Sequence, residues 1–177
     1  MLGDKLNPGE LVRFGEGRGE YHLTARAAAA LQEAGITLQA LSPGEAHADG
    51  NGGVSLPITG GGISPDFSRG KLQCKGGFDF THGDGRRLQI RDHWADAAAS
   101  RYYATVDGRE VPWLAFRLDP QVLSLTPARL TAKLPVTLTE EGAALFTEVL
   151  GVSPVSAGES LFDTEGRVPL MNTPLGL

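Results

Sequence analysis

Cysteine, aromatic residues and excess positive charge are all scarce in this sequence. A single cysteine, Cys74, in 177 residues excludes an internal disulfide and any cysteine-built zinc cage. Lys and Arg number 16 against 21 Asp and Glu, a formal charge of −5, which leaves no basic footprint for nucleic acid. That acidity is too slight for a disordered acidic tail. No run approaches the ~20 apolar residues of a membrane-crossing helix, so no membrane insertion is expected. Met1 to Glu10 lacks the apolar stretch of a signal peptide. The chain therefore reads as cytoplasmic, or as a mature secreted domain whose leader is not part of it; one cysteine fits both. Gly-x-Ser-x-Gly is absent. Gly15-Glu16-Gly17-Arg18-Gly19 has the glycines of a phosphate loop without its Lys-Ser/Thr, and its Glu16 would repel phosphate. With no catalytic motif, the reading leans away from an enzyme.

What is present is a globular balance with much glycine. Hydrophobic residues make up 41%, and glycine accounts for 24 positions, well above its usual ~7%. At about 100–200 residues per domain this is one domain. The expected division is a flexible lead-in over 1–20, a β-rich domain over 21–172 and a tail over 173–177. Thr24 is placed to cap a helix from Ala25 to Ala34, an Ala-rich run of high propensity that Gly35 stops. Thr139 caps a second helix, Glu140 to Leu150, whose two leading Glu suit the positive end of its dipole; Gly151 stops it. The two phrases echo one another, either because all capped helices do or through pseudo-symmetry.

Between the helices the period is two. Ile36–Leu41 and Val54–Thr59 read as strands, with Pro57 on an unpaired side because it has no N–H. From Leu72 through Cys74, Gly76, Phe78 and Phe80 to His82, alternate residues share one face, as a half-buried strand requires. Gly76-Gly77 within that run marks a bulge or a close backbone approach. Leu88 and Ile90 return on the same face. A second hairpin turns at Asp107-Gly108, a type I′ pair. A third runs from Val122 to Leu138. The fold expected is mainly β, an antiparallel β-sandwich-like domain with two short helices.

Few residues stand out as chemistry. His82 ends a strand on its apolar face and is either a rim histidine bonded to Asp84 or a backbone carbonyl, or a ligand to a metal or haem. Tyr21 is either a strand anchor or a phenolate ligand to iron, and His22 beside it points the other way. His47 with Asp49, and Asp92 with His93, read as solvated loop pairs, since zinc needs three or four converging ligands and no metal site is visible. Cys74 faces inward by parity and reads as an inert buried thiol. Arg101, Tyr102, Tyr103 and Trp113 lie on neighbouring hairpin strands. They are either core and rim or a platform for a protein, carbohydrate or small ligand.

The order strand, capped helix, long antiparallel strands, second helix resembles that of secreted or surface-exposed actinobacterial domains. The phrases that carry the likeness are Leu23-Thr24 with Ala30-Leu31 and Gly35-Ile36, then Leu56-Pro57-Ile58-Thr59-Gly60-Gly61, then Gly76-Gly77-Phe78-Asp79-Phe80. The outline, from about Tyr21 to Leu150, is similar to the HtaA-type haem-binding domain of bacterial surface haem-uptake proteins. That resemblance implies a location outside the cell, a haem cofactor, an axial Tyr on the first helix and a His after the aromatic strand. His82 matches the His region; the helix itself has no phenol, and Tyr21 precedes its cap. The residues alone call for no cofactor. The first reading is thus a non-catalytic secreted or surface module for binding or structure. Haem or small-ligand binding through His82, with Tyr21, is the first alternative, and an enzyme without a recognisable motif is the second.

Overall fold

A computed structural model describes residues 11–119, 121–126 and 128–171. The chain order is β1 (Val12–Phe14), β2 (Gly17–Leu23), α1 (Ala25–Ala34), β3 (Ile36–Leu41), β4 (Glu45–His47), β5 (Gly53–Ile63), β6 (Gly70–Cys74) and β7 (Gly77–His82). It continues with β8 (Arg87–Asp96), β9 (Arg101–Val106), β10 (Arg109–Ala115), β11 (Leu123–Leu125), β12 (Arg129–Leu138), α2 (Glu140–Leu150) and β13 (Ser160–Pro169). The domain is mainly β with two helices.

The helices form as local chemistry dictates. Thr24 accepts a hydrogen bond from the Ala27 N–H at 3.2 Å, and Gly35 closes the helix in the left-handed conformation at φ 73°. Thr139 does the same for Gly142 at 2.9 Å, with Gly151 at φ 81°. After that the echo ends: β3 starts directly at Ile36, whereas 152–159 is irregular. α2 lies over the β7–β8 hairpin, where Phe146 meets Phe80 edge-on at 4.8 Å.

The architecture is a closed barrel, where a sandwich was expected. Eight antiparallel strands run round it in the order β5, β2, β13, β12, β10, β9, β8, β6 and back to β5. β1 and β4 add to β5, β11 to β12, and β7 then β3 extend the sheet from β8. The reason is a break where one strand was expected. Gly76 takes φ 86°, and a Cβ there would meet the Leu41 carbonyl oxygen at 2.6 Å, so the chain turns at a place only glycine tolerates. The first half, β6, turns off to bridge β5 and β8; the second half, β7, pairs with β8 and β3. That bridge closes the sheet and removes two open edges.

Pro57 sits where its missing N–H costs nothing. β4 pairs with β5 as far as Ser55 and β6 takes over at Ile58, and the Pro57 carbonyl in the gap accepts from the Lys75 N–H at 3.0 Å. Asp107 and Gly108 both have positive φ, 49° and 77°, as a type I′ turn needs. Strand order also begins ahead of residue 21. Val12–Phe14 and Gly17–Leu23 pair with β5, and β2 also with β13. The tail over 173–177 lies outside the described residues. An eight-stranded barrel is just wide enough for side chains to fill it. Tyr21, Phe78, Trp113, Leu56, Ile58, Ile90 and Phe162 do so here.

Candidate functional site

The middle of the barrel holds a polar chain inside an aromatic shell. Tyr21 is placed there by β2, whose Gly19, Tyr21 and Leu23 point inward. Gly19 makes room: a Cβ on it would come within 3.3 Å of the Tyr21 ring. The ring is buried, edge-on to Phe78 at 5.2 Å and Phe162 at 5.7 Å.

The partner of Tyr21 is His93. Its Nε2 lies 3.0 Å from the Tyr21 hydroxyl, and its Nδ1 accepts from the Trp113 indole N–H at 3.1 Å. The imidazole stacks on Tyr102 with centroids 4.4 Å apart and planes 8° from parallel. Asp92-His93 is therefore no solvated loop pair: both residues lie on β8, and His93 is fully buried. A bulge explains the difference. Arg91 faces Thr105 and Trp94 faces Tyr103, so β8 carries one residue more than β9 across this stretch. Asp92 absorbs it in the left-handed region at φ 51°, and the side-chain alternation slips by one. Leu88 and Ile90 point in, and then His93 and Ala95 do. Trp113 sits at a second bulge, between Pro112 and Leu114, on β10.

Burial sets the electrostatics. It lowers the His93 pKa to about 3, so the ring is neutral. It raises the Tyr21 phenol well above its ordinary value, with Cys74 and Tyr102 adding to the rise. Tyr102 is raised by the same cause. The Cys74 thiol, 3.9 Å from the Tyr21 hydroxyl, is pushed up to about 12 by burial, and no thiolate nucleophile forms at neutral pH. Beside this cluster lies an apolar cavity of about 90 Å³. Tyr102 is in its wall with Phe14, Ile63, Leu72, Phe116 and Leu134, and Lys71 is at the same wall. Tyr21 is one ring removed, edge-on to Tyr102 at 6.2 Å.

The other candidate residues are spread elsewhere. His82, at the end of β7, has its Nδ1 3.1 Å from the Asp84 backbone nitrogen and is part-exposed; it makes no ring contact with Tyr21. Tyr102 and Tyr103 point to opposite faces, the first into the barrel and the second outward, stacked on Trp94 at 4.9 Å. Arg101 is exposed, its guanidinium donating to the Ser100 carbonyl at 3.0 Å. Trp113 is fully buried, so it offers no surface to a partner. Its indole N–H is spent on His93. The platform thus divides into an outer pair, Arg101 and Tyr103, and an inner pair, Tyr102 and Trp113. His22 lies on the opposite face of β2 from Tyr21, against His47 at 4.8 Å. Among the described residues no group of three or more His, Cys, Asp or Glu is set to hold a metal ion.

Solved structures of HtaA domains match this fold. The C-terminal domain of HtaA from Corynebacterium glutamicum aligns with a TM-score of 0.63 at 14% identity, covering 90% of this chain and 99% of that one. The N-terminal domain of the same protein gives 0.62 at 13%, again covering 90% and 99%. A domain-swapped dimer of a histidine-to-alanine variant of the C-terminal domain gives 0.54 at 15%, covering 79% and 87%. The fold is that of the HtaA domains. No protein-family model matches the sequence, and no curated protein does. At this identity the likeness to HtaA is one of architecture, and the residues of the site are argued on their own geometry.

Proposed function

We propose that this HtaA-like domain is a non-catalytic binding module, secreted or held at the cell surface, and that its ligand is a flat apolar group with a hard cation at its centre, of which haem is the case. The observation that carries the reading is the buried Tyr21–His93 pair beside an apolar cavity. Burial opposes a free phenolate at Tyr21, so the phenolate oxygen forms only when a cation takes the place of its proton. The donor set fits ferric haem: an anionic oxygen ligand from tyrosine, with a histidine behind it to orient the ligand atom. Bound haem would supply an iron that accepts this oxygen. Tyr21 would hold it, His93 would steady Tyr21, and the wall around Leu72 and Phe116 would exclude water.

Size adds a condition. A cavity of about 90 Å³ is well below the ~300–1,000 Å³ of sites for ligands of this scale. The wall must therefore give way on binding, and the Tyr102 ring, which stands between Tyr21 and the cavity, must move aside. The wall best placed to move is β6, which meets β8 only over Lys71–Gln73 and whose Gly70, Lys71 and Leu72 border the cavity. The HtaA-type likeness supports both the haem class and a location outside the cell. The readout is a titration with hemin followed at the Soret band. Wild-type protein should saturate near one equivalent, Tyr21→Phe should weaken binding by about tenfold or more, and His82→Ala should bind as wild type does. No Soret shift at micromolar protein sinks the haem reading. Loss in His82→Ala with Tyr21→Phe unaffected would move the site to the end of β7.

A further inference from the structure

We infer that Trp113 is a positioning residue that fixes the tautomer of His93, so that His93 holds Tyr21 as a hydrogen-bond donor through Nε2–H. An indole nitrogen only donates. It lies 3.1 Å from His93 Nδ1, so that nitrogen is the bare one. A doubly protonated ring would point an N–H at the indole N–H, and the geometry excludes it. The one hydrogen of the neutral ring is then on Nε2, 3.0 Å from the Tyr21 hydroxyl oxygen, which accepts it. The phenol's own hydrogen must point elsewhere, toward Cys74 Sγ at 3.9 Å or toward Tyr102.

This turns round the simple expectation for a tyrosine–histidine pair, in which histidine accepts the phenol's hydrogen. Here the imidazole leaves Tyr21 Oη with a donated hydrogen bond that steadies negative charge on the oxygen. Trp113 is itself held from behind. At its bulge, the Trp113 carbonyl accepts from the Thr139 N–H at 3.1 Å, and the Pro112 carbonyl from the Thr139 hydroxyl at 2.7 Å. The cap of α2, the bulge of β10, Trp113, His93 and Tyr21 thus form one connected chain. The use of this donor for a ligand rests on the reading of Tyr21 given above; the direction of the hydrogen bonds does not.

The test needs no ligand. Long-range proton–nitrogen correlation spectra of the histidine side chains in the ligand-free protein separate a protonated from a bare ring nitrogen. The chain has 4 histidines, so His93→Gln assigns the signal. Wild-type His93 should show a proton on Nε2 and a bare Nδ1. Trp113→Phe, its fold checked by circular dichroism, should free the tautomer: the Nδ1 resonance moves to lower frequency as that nitrogen takes a share of the proton, and the Nε2 resonance moves the opposite way. Tyr21→Phe should keep the proton on Nε2, because Trp113 is still in place. A wild-type spectrum with the proton on Nδ1, or on both nitrogens, overturns the inference, as does a folded Trp113→Phe whose proton stays wholly on Nε2. If Trp113→Phe does not fold, the wild-type and Tyr21→Phe spectra decide. Failure of hemin to bind would leave these spectra as they are, so the two readings fail separately.

Discussion

His93 is a base that the barrel keeps uncharged, and that has a cost in acid. Burial lowers its pKa to about 3, while in an unfolded chain a histidine titrates near ~6.5. As pH falls from about 6.5 toward 3, the unfolded chain binds a proton that the folded one refuses. Stability from this group is complete above the unfolded value and is lost as pH falls through that window, by up to about 1.4 kcal/mol per pH unit. The urea midpoint of the wild type should therefore drop between pH 7 and pH 5, and that of His93→Gln should drop less. Equal drops would mean that His93 is not the neutral, sealed group described. Counting by twos from Leu88 and Ile90 sends Asp92 in and His93 out, which is why the sequence hides this residue. A lone Asp amid strand residues was the one signal of a left-handed bulge. Cys74 was legible as a buried thiol, because no bulge in its own strand intervenes between it and Leu72.

Gly77 decides how β7 lies on β8. It stands opposite Arg91 in the ladder, and a Cβ on it would come 2.0 Å from the Ile90 carbonyl oxygen. That neighbour is backbone, which cannot swing aside as a side chain can. Gly77→Ala should cost about 3 kcal/mol, read from urea denaturation, whereas a loss below about 0.5 kcal/mol would show that the strands have room to part. The two helices, their Thr caps and the Asp107-Gly108 turn were legible because each is set within a few residues by its own side chains. Gly76-Gly77 was legible as a close backbone approach but not as the joint between β6 and β7. What distinguishes the two is the pairing of β6 with β5 and β8, and local pattern carries no record of that.

Closure of the barrel is a property of the whole chain. It depends on the long β5 meeting β2 over one stretch and β6 over the next, which alternation alone does not distinguish from a sandwich. Closure also distributes stability unevenly. β12 and β13 run together from Arg129 to Thr137, whereas β6 holds β8 only over Lys71–Gln73. β10 also meets β12 over a short stretch, Leu114–Ala115, but the Thr139 cap braces it. Amide hydrogen exchange should therefore be faster in Gly70–Cys74 than in Leu130–Val136, and hemin should slow it. Uniform protection of the two segments would remove β6 as the entry wall. Ligand capture depends most heavily on Tyr21 supplying the oxygen that meets the ligand's cation, and resonance Raman spectroscopy of the hemin complex tests this most directly. Phenolate-to-iron modes should appear in the wild type and in His82→Ala and vanish in Tyr21→Phe. A complex whose phenolate modes survive in Tyr21→Phe, or are absent from the wild type, would contradict it.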